Sequence, residues 1–140
     1  MNQKEITLGG KPVSMIYCAA TENGYETISG RSISVFVPTF GTDKDGNTIV
    51  TQPAEATIGD YLTLAMAAIV AAYGRQGQEP PVSSDYILYE ATPLERNELV
   101  SAVMQLRNEW YDIPEVVKEK LSEERGNSDD DKSAAPLKNE

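Results

Sequence analysis

The chain has no histidine, and only one cysteine (Cys18) and one tryptophan (Trp110) among its 140 residues. Without histidine it lacks the side chain most often used as a general base and as a metal ligand. A lone cysteine excludes an internal disulfide and, with no imidazole to activate it, makes a poor nucleophile. Cys18 sits in an alternating segment and reads as a small buried apolar residue. Positive charge is scarce as well: 12 Lys and Arg stand against 22 Asp and Glu, a net charge of −10. The basic residues before Pro114 (Lys4, Lys11, Arg31, Lys44, Arg75, Arg96, Arg107) are scattered. That argues against nucleic acid and against an anionic membrane surface as partners, since both need clustered cations. The N-terminus, MNQKEITLGG, has no apolar core of a signal peptide. The longest uncharged run, Tyr61–Tyr73, falls short of the roughly 20 apolar residues that span a bilayer. We therefore expect a cytoplasmic protein. The glycines spell neither a phosphate loop nor a dinucleotide fingerprint, so no cofactor is expected.

Acidic residues are plentiful, but their spacing carries little chemistry. Glu95 and Glu98 lie on the polar side of a helix, where solvated charge is the ordinary reading. Asp43, Asp45 and Gly46 hint at a calcium loop. With Gly46 at the sixth position, however, Gly41 and Gln52 fall where the first and last ligands belong, and the match fails. No catalytic residue and no metal ligand is expected.

The stretch around which the chain is organised is Thr57–Gly74, TIGDYLTLAMAAIVAAYG. Thr57 with Asp60 forms a capping signal, and Gly74 a stop. The segment predicts a central helix, apolar on every side. Before it, Glu5–Leu8 and Val13–Cys18 alternate around Gly9-Gly10 and Pro12, which predicts a β-hairpin with a turn of two or more residues. Ala19–Gly30 predicts a short helix with Tyr25 and Ile28 on one face. Arg31–Phe40 alternates through Ile33, Val35 and Val37, and Ile49–Thr51 is again β-like, so the spacing allows a second hairpin turning at Asp45-Gly46. Ser83–Tyr89 predicts one helical turn. Thr92-Pro93-Leu94-Glu95 opens an amphipathic helix to about Asp112, with Leu99, Val103, Leu106 and Trp110 in one stripe. Trp110 is assigned to the core, and Tyr111 to a surface. The pattern at Asp112–Glu115 allows a weakly docked helix over 113–125, and 126–140 reads as a disordered acidic tail.

The fold class is thus α+β: an N-terminal antiparallel hairpin, with or without a second hairpin arm, packed on three to four helices. The domain is taken as 1–112, with 41–53 as a loop or hairpin insertion. If the domain holds a partner, the candidate contacts are the small-residue face Ala65, Ala68 and Ala72 together with the aromatics Tyr86 and Tyr111.

The order of these parts resembles the tail assembly chaperones of long-tailed phages, in the form carried by prophages of Bacteroides-type bacteria. Ile6-Thr7-Leu8-Gly9-Gly10-Lys11 looks like the opening strand and glycine-lysine turn. Glu26-Thr27-Ile28-Ser29-Gly30-Arg31-Ser32-Ile33 is similar to the segment after the first hairpin. The apolar Tyr61–Tyr73 helix and the amphipathic helix after it resemble the helical half. Gly41–Pro53 looks like an insertion relative to the simplest members. The resemblance covers about residues 4–112. It implies a non-enzymatic protein of the infected cytoplasm that coats the tape measure protein while the tail tube polymerises. The implied partner is the tape measure or the tail tube protein, with self-association open. Two further functions stay open: a small structural tail or head–tail connector protein, and an unrelated regulator or carboxylate enzyme.

Overall fold

The computed structural model describes residues 2–111. The segments 113–125 and 126–140, read above as a docked helix and a tail, lie outside the described residues. Those described fall into two compact units, 2–35 with 56–111, and 36–55.

The first unit opens with strands β1 (Gln3–Leu8) and β2 (Lys11–Ile16), paired antiparallel from Gln3↔Ile16 to Leu8↔Lys11. The turn is the two-residue Gly9-Gly10, both at positive φ (58° and 79°), which side chains with a Cβ rarely tolerate. Leu8, Val13 and Met15 share one face of the ladder and are fully buried; Ile16, on the other face, and Tyr17, just past the strand, are nearly so. The hairpin meets two helices: β2 packs on α2 (Ile58–Gly74), and β1 on α3 (Pro93–Trp110). The hydroxyl of Tyr73 in α2 accepts the Ser14 N–H at 3.0 Å and ties the two elements.

Helix α1 (Ala19–Ser29) packs along α2. Its cap is Cys18. Thr21 turns inward, fully buried, accepting the Cys18 N–H and donating to the Ile16 carbonyl. Gly30 at φ 72° ends the helix. Tyr25 is buried, but Ile28, expected beside it, is half exposed. The alternating Ile33–Val37 does not form a strand. Ile33–Phe36 winds into a 3-10 turn, because the Glu26 carboxylate takes the Ile33 N–H and the Ser32 hydroxyl takes the Ser34 N–H. Such local bonds compete with a sheet ladder.

In α2, Thr57 and Asp60 form the reciprocal capping box that the sequence signals. Gly74, expected as the stop, is still helical. The chain turns one residue-triplet later, at Gly77 (φ 71°), where the Tyr73 carbonyl accepts the Gln78 N–H. Tyr86–Glu90 forms a single π-helical turn closed by the Ala91 N–H on the Tyr86 carbonyl. In α3, Thr92, Pro93 and Glu95 make the expected start, and Leu99, Ala102, Val103 and Leu106 form the buried stripe. Trp110 is not core. It is half exposed, with its ring tilted against Tyr17 at 6.2 Å between centroids.

The second unit is the second hairpin. Strands β3 (Thr39–Thr42) and β4 (Thr48–Gln52) pair antiparallel, with Thr51 as a bulge between the Phe40↔Val50 and Thr39↔Gln52 pairs. The Asp43 carboxylate accepts the amides of Asp45 and Asn47, and Gly46 at φ 84° completes the turn. The acid that hinted at calcium is engaged in shaping this loop.

Candidate functional site

The residues proposed as contacts do not form one surface. Ala65 and Ala68 are fully buried and Ala72 nearly so, which corrects their assignment to a free face: alanines at this spacing let α2 lie close to its neighbours and are covered by them. Tyr86 is half-buried, with its ring against Gly9 and its hydroxyl donating to Glu95 at 2.9 Å. Tyr111 is half exposed beyond the end of α3. Its hydroxyl donates to Glu22, and the Arg107 guanidinium lies 5.0 Å from its ring centroid.

Besides Glu26, three carboxylates each gather several polar contacts within the first unit. Asp60 is buried and accepts from the Thr57 N–H and hydroxyl, the Tyr25 hydroxyl (2.9 Å) and Arg31 (2.9 Å). Burial alone would raise its pKa. The hydrogen bonds from Thr57 and Tyr25, with the Arg31 charge, outweigh this and hold it below the usual value. Glu95 closes the capping box of α3 and also accepts the Gly9 N–H at 2.8 Å, pinning the hairpin turn to the helix start. Gly9, then Thr92 and Tyr86, hold its pKa down as well. Glu22 accepts both the Tyr17 and the Tyr111 hydroxyls. Burial, then Glu22, raises both phenols, Tyr111 to about 12. Each acid is committed to holding elements together. Among the described residues, no three His, Cys, Asp or Glu side chains converge to hold a metal ion.

Among the exposed apolar side chains is Val70 on α2, 55% exposed where Leu64–Ile69 before it are buried; Ile58, Leu88, Tyr89 and Leu94 are exposed at least as much. Val70 lines two neighbouring grooves of about 450 and 470 Å³. The first runs between α1 and α2. Small residues (Ala20, Gly24, Ala67, Ala71, Gly74) line it, together with Ile28 and the cation Arg75. Gly24 is what lets the helices approach, since a Cβ there would stand 3.3 Å from that of Ala67. The second groove lies between Val70 and the Pro80–Val82 loop, with Ile69, Ile87 and Glu79 on its sides. The pattern Gly59, Thr63, Val70, Gly74 follows one side of the helix at spacings of four and seven. Met66 on the same side is buried, so the exposed stretch is confined to its two ends, and the overall apolarity of the segment hides it in the sequence.

No known protein family, curated protein or solved structure matches the chain. Among the described residues, no helix is long and apolar enough to cross a membrane.

Proposed function

We propose that this protein is a non-enzymatic phage tail assembly chaperone that holds the tape measure protein during tail assembly. The observation that carries the reading is the apolar side of α2 around Val70: an exposed valine lining two grooves on a chain of net charge −10. A tape measure is long, helical and apolar along its exposed stripes. An acidic domain with an apolar groove keeps such a chain in solution by covering the stripes. The order of strands and helices over residues 4–112, which resembles that family, gives the reading its particular form. The commitment of Asp60, Glu95 and Glu22 to structural bonds favours a binding role over a carboxylate enzyme.

The test is co-expression with tape measure segments encoded beside the gene. The expected result is a soluble complex, with the chain missing from purified particles by mass spectrometry. Stoichiometric presence in particles would replace this reading with a structural tail component. Tape measure segments that stay insoluble alongside the folded chain would remove it.

A further inference from the structure

We draw no further inference here: the strongest candidate, the exposed apolar side of α2 around Val70 with its two grooves, one lined in part by Arg75 and the other by Glu79, is the surface on which the proposed function already rests, and nothing in the structure shows what covers it.

Discussion

At the scale of single residues, the polar chemistry of this chain is concentrated in carboxylates that do structural work. Asp60 caps α2, accepts from Tyr25 on α1 and pairs with Arg31 just beyond it, so one side chain fixes three points of the chain. Arg31 is 42% exposed, so the pair itself contributes little. The cap and the buried tyrosine bond are worth more. Asp60→Ala should therefore destabilise by about 2–4 kcal/mol, read from chemical denaturation, because it removes a cap and leaves the Tyr25 hydroxyl unpaired. The pH response follows from the same contacts. Asp60 and Glu95 have folded pKa values below their unfolded ones. Their stabilisation is complete above the unfolded values and is lost as pH falls through them towards the folded values. The melting temperature should start to drop below about pH 4.5, and Asp60→Asn should flatten that limb. The opposite limb belongs to the tyrosines. Burial and a carboxylate partner raise Tyr17, so the folded state loses stability as pH rises above about 10. Tyr17→Phe should blunt the alkaline decline; an unchanged profile would mean that the phenol is not sequestered.

At the scale of elements, α2 has two different sides, and two substitutions separate them. Leu64 is fully buried, and Leu64→Ala should cost about 2–5 kcal/mol through the cavity it leaves. Val70→Asp, six residues on, should change stability by no more than about 0.5 kcal/mol, because it replaces an exposed side chain. Comparable losses at both positions would mean that the Val70 side is covered. The helix and its start were legible in the sequence, since a capping threonine, an acid three residues on and an uncharged run are local signals. So were the Thr92-Pro93-Glu95 start of α3 and the alternation of the first hairpin. What escaped was what depends on neighbours. Gly74 was a reasonable stop, but Gly77 supplies the left-handed residue. Ile33 and Val35 alternate like a strand, yet Glu26, seven residues before Ile33, captures its amide. The three alanines were misjudged for the same reason. Ala65, Ala68 and Ala72 share a face, but periodicity does not say which face of an all-apolar helix another element takes. Val70 shares its side with Gly59, Thr63 and Gly74 but also with the buried Met66, so its exposure was not legible in the pattern.

At the scale of the whole molecule, the second hairpin is a separable piece of chain. The Val35 carbonyl accepts the Ala56 N–H at 2.9 Å, so the first unit brings the two ends of the excursion together with its own backbone. The hairpin's order is local: a bulged ladder, an aspartate-capped loop and a glycine turn, all formed within residues 39–52. Two-stranded hairpins of this length are marginal alone, so their loss removes little cooperative stability. Shortening a loop whose ends are already bonded changes closure entropy only slightly. Replacing residues 39–52 with a two-residue Asn-Gly turn should thus leave helical circular dichroism and cooperative melting intact, with the midpoint shifted by only a few degrees. Loss of cooperative melting would show instead that the first unit depends on residues 39–52.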